Sequence, residues 1–175
     1  MKSGLEKGAV QVYTGAGKGK STAAFGLALR AAGSGLKVSI HQFLKGRPTG
    51  EVKAVKKLHN ISVKRSGGRN FIIGKGSRGD IERAGKALGL AEKDINSGKY
   101  DIVILDEINM AMKLGLVNKE RIERLITERP YRVELVFTGR GCPASIIDMA
   151  DLVTEMKEIK HPHRKGMGCR IGIEC

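Results

Sequence analysis

The chain is poor in several residue types, and each shortage excludes a class of protein. Its three cysteines, an odd number without CxxC spacing, argue against a disulfide scaffold and indicate a reducing compartment. Tryptophan is absent and aromatic residues make up 4%, so a base-stacking platform for single-stranded nucleic acid is poorly supplied. No apolar run approaches the roughly 20 residues that span a bilayer, and the chain shows no signal-peptide pattern. We therefore expect a single cytoplasmic domain over residues 1–175, without a membrane partner.

Positive charge and glycine, in contrast, are abundant. The chain has 32 Lys and Arg against 18 Asp and Glu, which gives a net charge of +14. Residues 37–79 hold eleven of the basic residues and one acidic residue, Glu51. Such a stretch attracts nucleotides, nucleic acid or an acidic protein, although a merely solvated face has the same composition. The 24 glycines show no period, which excludes collagen, and they lie at joints between apolar runs.

The predicted secondary structure alternates strands with helices. Strands are predicted at 9–13, 38–43, 61–64, 101–105 and 133–137, with a weaker signal at 170–175. Helices are predicted at 20–32, 51–58, 80–96, 118–128 and 143–150, with Asp80 as an N-cap. The alternation predicts an α/β domain, an open, mainly parallel sheet with helices on both faces. Ligands of such sheets bind at the carboxyl ends of strands, here just after Tyr13, Leu105 and Phe137.

A glycine-rich loop follows the first predicted strand. Residues 14–22 read TGAGKGKST and match the end of the phosphate-loop pattern GxxxxGK[ST], although Thr14 stands where the pattern begins with glycine. The glycines let the backbone turn tightly and aim its N–H groups at phosphate oxygens, and the following helix adds its positive end. Lys20 would reach the phosphates and Ser21 would offer its hydroxyl to Mg²⁺. A simple glycine-rich turn is the alternative, but the position between a strand and a helix favours a phosphate loop.

Two carboxylates, Asp106 and Glu107, follow the most apolar predicted strand, 101–105. In phosphate-loop proteins an acid at such a strand end faces the loop and holds the metal, directly or through water. A cap or turn residue is the alternative. Glu107 would be a second metal ligand or a base that orients water, and the sequence leaves both roles open.

Seven segments of the chain resemble the P-loop type of cob(I)alamin (corrinoid) adenosyltransferase. The doubled Gly-Lys-Gly-Lys of the phosphate loop is the most specific of the shared features, and the segments near the end of the chain are absent from generic ATPases. The segments run in family order and are 12–24, 42–46, 100–107, 138–141, 150–155, 160–162 and 172–174. The resemblance implies a P-loop NTPase fold of the RecA-like kind.

The resemblance also implies an enzyme, an ATP:corrinoid adenosyltransferase. Such an enzyme transfers the 5′-deoxyadenosyl group of ATP to the Co(I) of a corrinoid and releases triphosphate. Because Co(I) is itself the nucleophile, the protein needs no nucleophilic side chain, and we expect no Ser–His–Asp arrangement. The protein must hold the 5′-carbon in line with cobalt and stabilise the charge that develops on the leaving triphosphate, a task for which Lys18 and Lys20 are suited.

Site residues follow from the resemblance by position. Lys20 and Glu107 would be catalytic. The metal, Mg²⁺ or Mn²⁺, would be held by Ser21 and Glu107, with Asp106 nearby. ATP would contact Gly15, Ala16, Gly17, Lys18, Gly19, Lys20, Ser21 and Thr22.

The corrinoid side of the site departs from the family pattern. The family's N-terminal lid over the corrinoid has no counterpart before the first predicted strand, so a lid is missing or supplied otherwise. The family's Gly-Phe-x-Trp element, which displaces the lower cobalt ligand, is replaced by a loop in which Phe71 takes the Phe position and Ile73 the Trp position. Simple packing is the alternative role for Phe71. Arg140 would contact phosphate or corrinoid, or instead pair with Asp106 or Asp148.

Partners and rival functions complete the expectations. The resemblance implies a homodimer and an acidic, flavodoxin-like electron donor. For the basic stretch 37–79 we rank a solvated face first, donor docking second and nucleic acid third. The rival functions are a P-loop ATPase or kinase that acts on phosphate, and a nucleic-acid binder that needs no ATP.

Overall fold

A computed structural model describes residues 4–68, 72, 74 and 76–174 of the chain. Within these residues, six strands form one sheet in which every observed pairing is parallel, in the order β3-β2-β4-β5-β1-β6. The strands are β1 (Val10–Thr14), β2 (Val38–Gln42), β3 (Ile61–Arg65), β4 (Ile102–Asp106), β5 (Glu134–Thr138) and β6 (Leu152–Glu155). The helices are α1 (Lys20–Gly33), α2 (Gly50–Val55), α3 (Arg78–Asn96), α4 (Ile108–Lys113), α5 (Lys119–Glu128) and α6 (Ala144–Met149), and a 3₁₀ turn spans Pro162–Lys165.

Helices cover both faces of the sheet, as predicted, and the alternation of side chains along β4 shows how. Ile102 and Ile104 pack with α1 and α2 on one face. Val103 and Leu105 pack with α3, α4 and α5 on the other face. Most side chains of a strand that is covered on both faces are apolar, which explains the continuous apolar run that predicted this strand.

The strand order determines which strand ends are neighbours. β5 lies between β1 and β4, and β2 pairs with the other side of β4. Parallel strands place all their carboxyl ends at one edge of the sheet. Thr14, Gln42, Asp106 and Thr138 are therefore the last residues of four adjacent strands at that edge.

Several predicted details were wrong. The tail 170–174 forms turns rather than a strand, and the sixth strand is β6, a short, exposed edge strand beside β1. Asp80 is not the N-cap of α3, because the helix begins two residues earlier. Ser77 is the cap, and Asp80 completes a capping box by accepting a hydrogen bond from the Ser77 backbone. Pro143 precedes α6 as its N-cap instead of lying in its first turn. α4, directly after Glu107, had not been predicted.

Two further observations concern the cysteines and the membrane. Cys142 is free, whereas Cys169 in the tail is disulfide-bonded, a pairing that the cysteine count had not suggested. In the described part of the chain, every helix is too short or too polar to cross a bilayer.

Candidate functional site

The phosphate loop joins β1 to α1, and its glycines are needed for two different reasons. Gly15 and Gly19 have φ angles of 94° and 115°, in the left-handed region that side chains disfavour. Gly17 is needed because of a close approach, since a Cβ atom there would overlap the backbone of Met156 and Lys157. The loop therefore owes part of its shape to a segment that lies about 140 residues further along the chain.

The segment after β6 is joined to the loop by hydrogen bonds as well as by contact. The Gly17 N–H donates to the Met156 carbonyl at 2.6 Å, and the Met156 N–H donates to the Thr14 carbonyl at 2.9 Å. Gly17 thus already has a protein carbonyl as the acceptor of its N–H in this structure. Its N–H is used to hold the loop against the strand that follows α6.

Lys20, the first residue of α1, points back into the loop. Its Nζ donates to the carbonyl oxygens of Gly15 at 2.8 Å and Gly17 at 2.5 Å. Burial lowers the pKa of Lys20 from its usual value, and the nearby charge of Arg140 lowers it further. The ammonium thus lies among the glycines that were predicted to surround phosphate.

Asp106 lies at the centre of the site and is fully buried. Its Oδ1 accepts hydrogen bonds from Ser21 Oγ at 2.7 Å and Thr138 Oγ1 at 2.6 Å. Its Oδ2 accepts from Gln42 Nε2 and Lys45 Nζ, both at 2.9 Å. Burial by itself would raise the pKa of Asp106, but the Lys45 charge and the hydrogen bonds outweigh it and lower the pKa. The carboxylate is therefore ionised and bonded on both oxygens.

Glu107 differs from Asp106 both in its hydrogen bonding and in the direction of its pKa shift. It has a φ of 66°, and its N–H donates to Thr138 Oγ1 at 3.0 Å. Burial raises the pKa of Glu107, and the adjacent charge of Asp106 raises it further. Among the described residues its carboxylate has no hydrogen-bond or ion-pair partner. This carboxylate is consequently the acid at the strand edge that is left for a ligand or a proton.

The donor set fits a hard divalent cation. The Ser21 hydroxyl and the Asp106 carboxylate are in direct contact, and oxygens of these kinds are the ligands that Mg²⁺ and Mn²⁺ prefer. The Lys45 ammonium already contacts both, at 2.7 Å from Ser21 Oγ and 2.9 Å from Asp106 Oδ2. Gln42 Oε1 is buried and accepts no hydrogen bond within the described residues, so an oxygen with unused lone pairs lies at the same corner. The structure thus brings Asp106, and not Glu107, into contact with Ser21.

The remaining predicted residues are more dispersed. Lys18 turns toward the tail, and its Nζ donates to the Ile173 carbonyl at 3.0 Å and lies 3.4 Å from Glu174 Oε1. Ala16 and Thr22 are exposed at the rim of the loop. Arg140 is exposed after β5 and pairs with neither predicted carboxylate, Asp106 or Asp148, nor with any other acid that the structure describes. Phe71 lies outside the described residues.

A Ser–His–Asp contact exists, contrary to expectation, but its geometry is not that of a nucleophilic triad. His41 Nε2 lies 2.9 Å from Asp94 Oδ2 and 3.2 Å from Ser39 Oγ, and Ser39 donates to the same Asp94 oxygen at 2.6 Å. In a triad the serine and the carboxylate use opposite ring nitrogens. Burial lowers the pKa of His41, although the hydrogen bond to Asp94 opposes this. Ser39 and His41 are inaccessible between β2 and α3, so the cluster is structural.

Three residues of the site had no predicted role, although all lie in segments that carry the resemblance. Gln42 and Lys45 come at and after the end of β2, and Thr138 ends β5. The rule that ligands bind at carboxyl ends of strands had been applied to three strands, and its application to β2 would have found Gln42 and Lys45. Met156 could not have been found in this way, because its backbone rather than its side chain contacts the loop.

Comparisons with known proteins point to one family. Residues 6–175 match the family described as ATP:corrinoid adenosyltransferase BtuR/CobO/CobP. A corrinoid adenosyltransferase of a Sinorhizobium species is 37% identical over 173 residues, which cover 97% of this chain and 81% of that protein. A corrinoid adenosyltransferase of Pseudomonas aeruginosa is 36% identical over 171 residues, covering 97% of this chain and 84% of that protein.

A solved structure, the RadB recombinase, is similar with a TM-score of 0.56 at 13% identity, covering 90% of this chain and 78% of that chain. At this identity the likeness shows the fold alone, and it confirms the predicted P-loop NTPase fold of the RecA-like kind. The family match extends over nearly the whole chain and confirms the resemblance found in the sequence. This chain therefore belongs to the ATP:corrinoid adenosyltransferase family.

Proposed function

We propose that this protein transfers the 5′-deoxyadenosyl group of ATP to the Co(I) of a corrinoid and releases triphosphate. The electron pair of Co(I) forms the bond to the 5′-carbon, and the bond from that carbon to the triphosphate oxygen breaks. The leaving triphosphate takes the bonding pair, and cobalt becomes formally Co(III). The observation that carries the proposal is the convergence of the phosphate loop, Ser21 and Asp106 at one sheet edge in a chain of this family.

The side chains of the loop are suited to hold the leaving group. Lys20 Nζ now contacts the carbonyls of Gly15 and Gly17, and a triphosphate would offer it stronger, charged acceptors. The positive end of α1 begins at the same residue. Held in this way, the triphosphate can take up negative charge without reorganisation of its surroundings, which is how a preorganised site lowers a barrier.

For the metal we propose Mg²⁺ or Mn²⁺, held by Ser21 and Asp106 with Glu107 beside them. The contact between the Ser21 hydroxyl and the Asp106 carboxylate supports this position. When bound, the cation would supply positive charge against the triphosphate. Glu107, whose carboxylate has no partner in the described part of the chain, would bind a ligand or water next to it.

On the corrinoid side we propose Phe71 and Arg140 as contacts. Arg140 is exposed at the strand edge, and its charge acts on both Lys20 and Glu107. It adds to the lowering of the Lys20 pKa by burial, and it partly opposes the raising of the Glu107 pKa by burial. Phe71 carries over from the resemblance alone, and its role would be to exclude water and a lower ligand from cobalt.

An acidic, flavodoxin-like protein is the proposed electron donor. Arg47 lies in the loop after β2, at the carboxyl edge of the sheet, and Lys53 lies on α2. Both side chains are exposed, and neither forms an ion pair with a residue that the structure describes. Unpaired positive charge close to the site would attract an acidic donor.

A homodimer, which rests on the resemblance, and a cytoplasmic location, which rests on the sequence composition, are two further proposals. Sedimentation equilibrium that returned the monomer mass of 18.9 kDa would contradict the dimer. Recovery of the protein with membranes after lysis would contradict the location.

The first prediction tests the reaction and the phosphate assignment together. Anaerobic incubation with ATP, Mg²⁺ and chemically reduced cobalamin should consume the Co(I) spectrum and release triphosphate in equal amounts. Lys20→Ala should reduce this turnover by about 100- to 1,000-fold, because a preorganised charge at the leaving group is lost. Lys86→Ala, on the exposed side of α3, is the control and should retain full turnover. Release of ADP or phosphate instead of triphosphate would favour a hydrolase or kinase.

The second prediction concerns Glu107. Because its pKa is raised in the folded protein, the ionised carboxylate destabilises the fold at neutral pH, and this penalty disappears as the pH falls and the group is protonated in both states. Glu107→Gln should therefore raise the melting temperature at pH 7 and have no effect below about pH 4. Turnover should fall in the same variant.

Glu128→Gln, at the exposed end of α5, is the matched control and should change neither quantity. A Glu107→Gln variant that melts lower than the parent at pH 7 would show that the carboxylate is stabilised by a partner.

The third prediction concerns Phe71. Phe71→Ala should slow the reaction that starts from protein-bound Co(II) and a reductant more than the reaction that starts from prereduced Co(I), because only the former requires loss of a lower ligand. Rates for both starting states are measured on the same preparation. Equal losses in the two assays would remove the ligand-displacing role and leave packing.

The fourth prediction concerns the donor. Arg47→Glu combined with Lys53→Glu should slow electron transfer from an acidic flavodoxin-like protein, and the parent rate should fall with added salt. Turnover with a small chemical reductant should be unaffected by either change. Lys93→Glu combined with Lys99→Glu is the control, because these exposed lysines lie in the last turn of α3 and in the loop that precedes β4. Equal effects of the two pairs would show that net charge, and not docking, is responsible.

A further inference from the structure

Lys45 contacts two side chains of the site at once. Its Nζ lies 2.7 Å from Ser21 Oγ and 2.9 Å from Asp106 Oδ2. These are the side chains that the proposed function assigns to a divalent cation. A lysine ammonium therefore contacts both residues that would otherwise hold the metal.

The backbone around Lys45 is built to hold this position. Leu44 has a φ of 38°, a conformation that is strained for a residue with a branched side chain, and the Lys45 N–H donates to the Phe43 carbonyl across it. Cβ atoms at Gly46 or Gly67 would overlap the opposite backbone, so two glycines allow the turn to pack against the start of the next loop. Strain of this kind persists where the surrounding structure requires it, and it is concentrated at functional sites.

The charges make a simultaneous occupation unfavourable. Asp106 is fully buried and its negative charge needs a positive partner, which Lys45 supplies with a side chain that is 26% exposed. A divalent cation in contact with the same two residues would satisfy that charge itself, and it would repel an ammonium a few ångströms away. Since the ammonium and a divalent cation would compete for one carboxylate at this spacing, binding of the metal implies that it takes the place of Lys45.

We propose that Lys45 is an exchangeable internal counter-ion, which competes with the divalent cation for Ser21 and Asp106. This inference rests on the proposed metal position. Lys45 is a positioning residue in this role: it holds the side chains of Asp106 and Ser21 in place until a metal takes over, and the metal must displace it. Its partly exposed side chain gives the ammonium a route toward solvent and toward the phosphate edge.

The first test is metal binding without nucleotide, so that turnover plays no part. Mn²⁺ is titrated through the millimolar range into the full-length protein, and free Mn²⁺ is measured by electron paramagnetic resonance. Lys45→Met removes the competitor and should bind Mn²⁺ about tenfold more tightly than the parent, which corresponds to ~1.4 kcal/mol. The increase in melting temperature on addition of Mn²⁺ should also be larger in the variant.

Lys64→Met is the matched control. Lys64 lies on β3, and its Nζ is 2.6 Å from Oδ2 of Asp94 on α3, so the two form another lysine–aspartate pair. The loss of Lys64 should leave the Mn²⁺ affinity unchanged. Unchanged or weaker Mn²⁺ binding in Lys45→Met would overturn the proposal, and so would the absence of Mn²⁺ binding in both parent and variant.

The second test uses the unmodified protein and stays informative if Lys45→Met does not fold. Amine acetylation is followed residue by residue by mass spectrometry, with and without Mg²⁺ and in the absence of nucleotide. Displacement should raise the labelling rate of Lys45 several-fold while that of Lys64 stays constant. The proposal would be overturned if the labelling rate of Lys45 stayed constant at Mg²⁺ concentrations that raise the melting temperature of the protein. In that case the Co(I) assay would still detect adenosyl transfer. Failure of the Lys45 proposal can therefore be distinguished from failure of the proposed function.

Discussion

One buried charge organises the candidate site. The Asp106 carboxylate is inaccessible to water, and an ionised group in such a place must be bonded on both oxygens or become neutral. Ser21, Thr138, Gln42 and Lys45 supply those bonds, and they come from α1, from the ends of β5 and β2, and from the loop after β2. The requirement of one carboxylate on β4 thus holds three other chain segments against that strand at the sheet edge: α1, β5, and β2 with the loop that follows it.

The phosphate loop depends on a second constraint, the close approach of two backbones. Gly17 has no room for a side chain because the chain after β6 passes directly against it, and the two segments share a hydrogen bond. β6 is exposed and only four residues long, so it contributes little to the core. Its pairing with β1 instead brings the segment after β6 into contact with the phosphate loop. This short edge strand therefore has a positioning role.

These two constraints explain how a family chemistry without a protein nucleophile is compatible with this fold. The protein has to bind, orient and neutralise charge, and a parallel sheet brings loop, hydroxyl and carboxylate to one edge for those tasks. The Ser39–His41–Asp94 contact illustrates the contrast, because its residue types suggest covalent catalysis while its geometry and burial do not support it. Its position between β2 and α3 makes it part of the support of the sheet.

The sequence by itself determined the local features: the mainly apolar strand predicted at 101–105, the glycine loop that precedes α1, and the alternation that requires a covered parallel sheet. These features depend on residues that are close together in the chain. The spacing of apolar side chains and the conformational freedom of glycine determine local structure directly at that range. Strand order was not accessible in this way, so the contact of Lys45 with Asp106 and of Met156 with Gly17 appeared only in the structure. Tertiary packing decides such contacts, because they join residues that are far apart in the chain and no sequence periodicity indicates them. A backbone carbonyl is also present at every residue, so the sequence cannot indicate which carbonyl will accept a hydrogen bond from the loop.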